Sequence, residues 1–340
     1  MKNALKISSF ICATLLLLNG CKKTEIIKEE YNPAIPAYGT WAVVSSTMQG
    51  DMKYLQFSTD KVATVFSENT LGFKSSSASI LTPLPDQLLF DPYGYGTTFI
   101  FNYKVVGDSI FITSPNYGDI KGVKSSESNV TGWAKVVSRI DEINGAFSDN
   151  DYGIGFDGTN ILMSDYSANK VNKISLSTRL PAGNINVSGS YPTTVEFDGT
   201  DIWVSSNGYD MINRYSLAGG SVLSTSKQMG PWIYGIAFDP ISTNLWCFAG
   251  NTDTLYSYNK GSNTVTNRIG VGNGFKDMAW SNGKLFMVRN NYIYRVNPSP
   301  FVVEKTYKLK ETVSIYGIAA VGNDFWLSIS GNSLIKVTLN

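Results

Sequence analysis

The 340-residue chain contains no histidine, and this bounds its chemistry more tightly than any motif it carries. Histidine is the usual general base near neutral pH and the commonest transition-metal ligand. Ser-His-Asp and Cys-His catalysis, and zinc sites built on imidazole, are therefore excluded. Carboxylate chemistry remains. Glu196 stands out because the aligned positions in four neighbouring repeats are Gly155, Ala237, Ala279 and Ala319, all small. An acid at a tight position needs a partner or water. One reading makes Glu196 a ligand- or metal-facing acid. The plainer one makes it a channel residue hydrogen-bonded to ordered water. No second carboxylate recurs beside it in sequence, so a two-acid hydrolase is not supported. No catalytic residue, metal site or cofactor is assigned.

A second set of residues could bind rather than react. Tyr152, Thr193, Tyr234, Lys276 and Tyr316 each lead into the opening strand of a repeat. The turns between second and third strands carry Asp165 and Tyr166, Asn207 and Tyr209, Asn251 and Asp253, Asn290 and Asn291, and Asn332. Aromatic rings stack on flat faces, and amides or carboxylates make directional bonds, so such a rim suits sugars or peptides. The candidate ligand-binding set is Tyr152, Asp165, Asn207, Tyr234, Asp253, Asn290 and Tyr316. Tyr and Asn are also ordinary loop residues, which leaves a generic polar rim as the competing reading.

The elements that position these residues are repeats. Gly153-Ile154-Gly155-Phe156-Asp157 returns as Thr194-Val195-Glu196-Phe197-Asp198, Gly235-Ile236-Ala237-Phe238-Asp239, Asp277-Met278-Ala279-Trp280-Ser281 and Gly317-Ile318-Ala319-Ala320-Val321, about 40 residues apart. Tight-turn pairs follow the opening strand, such as Asp157-Gly158, Asp198-Gly199 and Asn282-Gly283. A second strand with a large apolar residue, a third with apolar residues three apart and a looser fourth complete each unit. Four strands per unit is the pattern of a β-propeller blade, so residues 139–340 are expected to form five blades. The last repeat stops after its third strand. An open sheet edge leaves backbone groups unpaired, so residues 139–147 are expected to supply the missing strand beside Ser333–Leu339.

The front of the chain differs. Lys2 and Lys6 precede an apolar stretch from Ile7 to Leu18 that is too short to span stably as a helix, and residues 1–21 read as a targeting segment. Leu18-Asn19-Gly20-Cys21 resembles a bacterial lipobox, which implies lipidation at Cys21, and Lys22 after it resembles outer-membrane sorting. The implied localisation is a bacterial outer membrane, held by acyl chains and facing the periplasm or the cell surface. With Cys12 in the leader and Cys21 lipidated, Cys247 is left alone and no intrachain disulfide is expected. Residues 22–37 are charged and then proline-punctuated, as a tether would be.

Residues 38–138 hold roughly eight short alternating strands with turn signals, the pattern of a small closed barrel. Gly39-Thr40-Trp41 is similar to the Gly-x-Trp of lipocalins, with Gly107–Ile112 and Gly132–Val136 resembling matching strands. The resemblance implies that Trp41 plugs one end of a barrel against a basic residue of the last strand, Arg139 or Lys135. Leu55, Phe57, Val65, Phe99 and Phe101 are expected to fill the interior. The repeats resemble NHL and streptogramin-lyase-like propellers through the G-I-A-F-D phrase. The lyase activity, as that family is understood, requires a histidine, so the resemblance is not extended to it.

The expected fold class is thus all-β, a small lipocalin-like β-barrel followed by a five-bladed β-propeller. With 28 basic and 27 acidic residues and no basic patch, no nucleic-acid partner is expected. Two functional readings stand open. One is a lipid-anchored binding or scaffold protein of the cell envelope, whose propeller face takes a glycan, peptide or protein. The other is a metal-dependent, gluconolactonase-like hydrolase centred on Glu196.

Overall fold

A computed structural model describes residues 35–48, 51–84, 86–91, 99–144, 151–187, 191–206, 210–226, 228–330 and 332–339, without the side chains of Asp151 and Tyr152. The leader, Cys21 and most of the tether lie outside the described residues, as do Asn207, Tyr209 and 145–147 of the expected closing segment. The described chain is all-β apart from one 3-10 turn and divides into two compact units.

The first unit is a closed barrel of eight antiparallel strands, from Gly39–Ser46 to Gly118–Ser125. The last strand pairs back onto the first, with Thr40 opposite Ser125 and Ala42 opposite Val123. Trp41 is buried, and its indole N–H donates to the Ala37 carbonyl at 2.8 Å. Lys124 lays its ammonium over the Trp41 ring at 4.5 Å and donates to the Tyr38 carbonyl at 2.7 Å. The basic partner of Trp41 is therefore Lys124, not Arg139 or Lys135. The barrel closes one strand earlier than the sequence implied, which takes both alternatives out of it. Lys135–Val137 pairs in parallel with Phe301–Leu309, and Arg139 pairs with Glu142 at 2.6 Å and Glu311 at 3.6 Å. Leu55, Phe57, Val65, Phe99 and Phe101 all point inward, yet they do not pack the barrel solid. They line an apolar cavity of about 180 Å³.

The second unit comprises Asn69–Lys74 and Gly132–Asn340. Within it Phe73 packs against Phe275 and Tyr294, with ring centroids 4.9 and 5.1 Å away. Its body is five sheets, the blades of a propeller. The inner strands are Asp151–Phe156, Pro192–Phe197, Ile233–Asp239, Asp277–Ser281 and Ile315–Val321, taken as blades one to five. Asp141–Asn144 pairs antiparallel with Ser333–Thr338 and supplies the fourth strand of blade five. In blade four Lys135–Val137 adds a fifth, parallel strand.

Four of the five blades repeat one steric rule. The small residue of the inner strand faces the large residue of the second strand: Gly155 opposite Leu162, Ala237 opposite Trp246, Ala279 opposite Phe286 and Ala319 opposite Trp326. These large residues are buried, each contributing about 2–3 kcal/mol of apolar burial. One position earlier, Ile154, Val195, Ile236, Met278 and Ile318 are all at 0% exposure and form the inner wall of the inter-blade core. Asx-type turns close the first hairpins. The Asp157 carboxylate accepts from the backbone N–H of Thr159 and Asn160, and the Asp198 carboxylate from those of Thr200 and Asp201. Cys247 lies in the core at 0% exposure, and burial pushes its thiol pKa up, as befits a small packing residue.

Candidate functional site

The inner strands are sheet edges, so their outward N–H groups need acceptors. One side chain meets much of this need. Asp277 is fully buried. Its Oδ2 accepts the N–H of Ile154 from blade one at 2.9 Å and that of Ile318 from blade five at 3.1 Å. Its Oδ1 accepts the hydroxyl of Thr194 from blade two at 2.9 Å, and the Met278 N–H adds a further bond. Blade three supplies Gly235, where a Cβ would come within 3.0 Å of the Asp277 Cα. Gly153 yields space in the same way, since a Cβ there would meet the Thr194 hydroxyl at 2.4 Å. Four inner strands thus meet at one carboxyl group, and the fifth packs against the Asp277 backbone.

Burial pushes the Asp277 pKa up to about 8, against the pull of its N–H and hydroxyl donors. Thr194 is the partner that can serve both protonation states: its hydroxyl donates to a carboxylate and accepts from a carboxylic acid. Glu196, the acid singled out by sequence, is half-buried and lies nearby. Its Oε1 accepts the Phe238 N–H of blade three at 3.2 Å. Desolvation raises its pKa well above the carboxylate range; the Phe238 N–H opposes this, while the negative charges of Asp277 and Asp198 add to it. Glu196 therefore caps the edge N–H of Phe238, and burial favours its protonated form. No group of three or more acidic or cysteine side chains gathers as a metal-ligand set among the described residues.

The other predicted residues occupy the face at which the inner strands begin, called here the upper face. Asp165 is buried and closes its own turn, accepting from the Ala168 N–H at 2.9 Å and the Ser167 hydroxyl at 3.1 Å. Asp253 and Asn290 hold positive φ values of 51° and 55° at hairpin tips. These three are turn formers. Tyr234 is half-buried over Gly250, where a Cβ would stand 2.4 Å from its ring, and the Lys276 ammonium lies 5.5 Å from the ring centroid. Tyr316 is also half-buried. Asn207 and the side chain of Tyr152 lie outside the described residues.

Two exposed aromatics at this face were not singled out by sequence. Tyr191 is 52% exposed and Trp232 is 44% exposed. Each precedes an inner strand by one residue, in blades two and three, and the strand starts are joined where the Thr193 hydroxyl donates to the Ile233 carbonyl at 2.8 Å. Tyr191 pairs with Tyr166 at 5.1 Å between centroids, and Trp232 meets Tyr234 edge-on at 6.3 Å. The signal available was Gly230-Pro231-Trp232, a turn dipeptide followed directly by a bulky aromatic.

No protein-family model matches the chain, and no curated protein matches it. Solved structures do. Glutaminyl cyclase from Myxococcus xanthus is 13% identical, covering 61% of this chain and 98% of its own, with a TM-score of 0.52. A virginiamycin B lyase from Staphylococcus aureus is 16% identical over 89% of this chain and 95% of its own, with a TM-score of 0.39. A nidogen/laminin complex is 14% identical over 65% of this chain and 82% of the matched chain, with a TM-score of 0.44. At such identity the cyclase likeness is one of fold alone.

The hub makes stability depend on pH with a definite sign. Asp277 titrates near 8 in the folded chain against an ordinary value of 3.8. Between these values the folded state holds a proton that the unfolded state has lost, so stability falls as pH rises through the window and levels off above it. Glu196 acts in the same direction. The urea midpoint should drop from pH 5 to pH 8.5, with up to about 1.4 kcal/mol per pH unit from Asp277. Asp277→Asn should flatten that slope while keeping most of the low-pH stability, because its amide oxygen can accept the Ile154 and Ile318 N–H groups and its NH₂ can donate to the Thr194 hydroxyl. A variant with the wild-type slope would show that Asp277 is not the titrating group.

Proposed function

We propose that the chain is a non-catalytic binding protein of the bacterial cell envelope, lipid-anchored through Cys21, whose propeller engages its partner through the upper face. The observation that carries this reading is the aromatic tier of Tyr166, Tyr191, Trp232 and Tyr234, in which two large rings stay in water although the fold does not need them there. Isolated apolar side chains at a surface are ordinary, but aromatics grouped at one face mark a binding patch. The propeller axis offers less. Asp277 spends both oxygens on backbone and hydroxyl donors, and the Glu196 Oε1 accepts the Phe238 N–H, so the geometry favours edge capping over the hydrolase reading.

Two measurements test this. In a Gram-negative host, Cys21→Ser should move the protein from the outer-membrane fraction to the soluble periplasmic fraction; continued membrane retention would sink the anchor. Adding fractionated envelope material to the chain from Lys22 should slow hydrogen exchange at residues 165–169, 230–235 and 250–253. The opposite loops, 157–160 and 239–244, should be unaffected. Protection confined to those opposite loops would assign binding to the other face.

The barrel supports a second site for a small apolar ligand, on the single observation of its cavity, lined by Leu55, Phe57, Ala63 and Phe101 among others. An apolar lining of this kind favours an apolar guest over a polar one. The expected result is that a naphthalene-type fluorescent probe brightens with the wild-type chain and not with Ala63→Phe; equal brightening in both would remove the cavity from consideration.

A further inference from the structure

We propose that Trp232 is a stacking platform for an uncharged sugar ring, so that the partner of the upper face is a saccharide chain. The proposal rests on the reading of that face as the binding surface.

The backbone is the first argument. Trp232 has φ 65° and follows Pro231, with Gly230 at φ 130°. The residue after a turn proline at positive φ is the one that type II turns reserve for glycine or asparagine. Ten non-glycine residues adopt positive φ among the described residues, and six are Asn or Asp; Trp232 is the one aromatic. A bulky side chain in this region is strained. Strain of this kind is held where a site needs it, and here the strained residue is also the exposed one.

The second argument is rigidity. The Trp232 carbonyl accepts the Gly250 N–H at 2.9 Å, which ties the turn to a hairpin tip of its own blade. Its ring meets Tyr234 at 82°, and Tyr234 is seated on Gly250. The indole is thus braced at one edge while 44% of the residue remains in solvent. A platform already fixed loses little freedom on binding.

The third argument is charge and shape. Lys276 lays its ammonium over the Tyr234 ring, and the Asp165 carboxylate is closed within its own turn with Lys170 at 3.9 Å. Neither offers a concentrated charge to an ionic ligand. An added peptide strand would need an open edge, and N–H groups of the inner strands are engaged by Asp277 and Glu196. Flat rings without a strand edge suit a ligand with a flat apolar face and neutral hydroxyls, which a pyranose provides.

The test uses the chain from Lys22 with four soluble probes: cellohexaose, xylohexaose, chitohexaose and mannohexaose. Isothermal titration should detect at least one, and ¹⁹F NMR of 5-fluorotryptophan-labelled protein should show its Trp232 resonance shift. Trp232→Ala should weaken that affinity at least tenfold, and Trp232→Phe should recover most of it. Trp232→Gly should also lose binding while its Tm equals or exceeds that of the wild type, because glycine relieves the turn. That variant separates loss of ligand from loss of fold. Failure of all four probes to bind, or wild-type affinity in Trp232→Ala, overturns the saccharide assignment. The exchange footprint described above then shows whether the face itself or only its ligand class was wrong.

Discussion

Sheets arranged around an axis face a problem that a single sheet does not. Each inner strand presents an unpaired edge toward the same narrow space, and water has little room to satisfy it. Asp277 meets much of this need with one carboxyl group that reaches four of the five blades by hydrogen bond, its own included, while Gly235 of the fifth packs against its backbone. The glycines at 153 and 235 follow from that choice, since a Cβ at either would strike Thr194 or Asp277 itself. Burial that makes the carboxyl useful as an acceptor also raises its pKa, so the molecule's central bond and its pH dependence have one cause.

Filling the axis in this way leaves the faces as the place for the proposed binding. Glu196 repeats the device on a smaller scale, giving Phe238 the acceptor that its edge N–H lacks. It breaks the small-opposite-large rule by standing across from Trp203. The surrounding residues accommodate the break: the Trp203 indole N–H donates to Asp198 at 2.8 Å, and Lys260 pairs with the same carboxylate at 2.6 Å. The Trp203 indole is thus satisfied beside Glu196, whose own oxygen caps the Phe238 N–H.

Much of this was legible from residues alone. The spacing of Phe156, Phe197 and Phe238 carried the blades, and the missing fourth strand after Leu334–Val337 pointed to a closing segment upstream. The barrel strands at Lys74–Pro83 and Gly118–Ser125 were not legible, because SSSAS and GDIKG lack the β-branched alternation that marks a half-buried strand. Missing the second of these shifted the barrel's end past residue 125 and misplaced the partner of Trp41. At the axis the sequence carried two such signals, and only one was read. Glu196 drew attention by replacing small residues, whereas Asp277 does the same one layer away, against Gly153, Gly235 and Gly317. The two columns lie two residues apart on one face of the inner strand, so spacing does not say which acid meets the neighbouring blades' N–H groups.

At the upper face, residue type serves local structure as well as any proposed ligand. Asp165, Asp253 and Asn290 have the right chemistry for a ligand, yet each is explained by its turn: a carboxylate accepting local N–H groups, or a side chain tolerant of positive φ. A residue that satisfies the fold so fully has little left to offer a partner. Trp232 is the converse. Glycine would suit its backbone better, and burial would suit its ring better. Once local structure has accounted for the Asn and Asp positions, the exposed rings are what the fold leaves unexplained, and a partner that covers them supplies the missing reason.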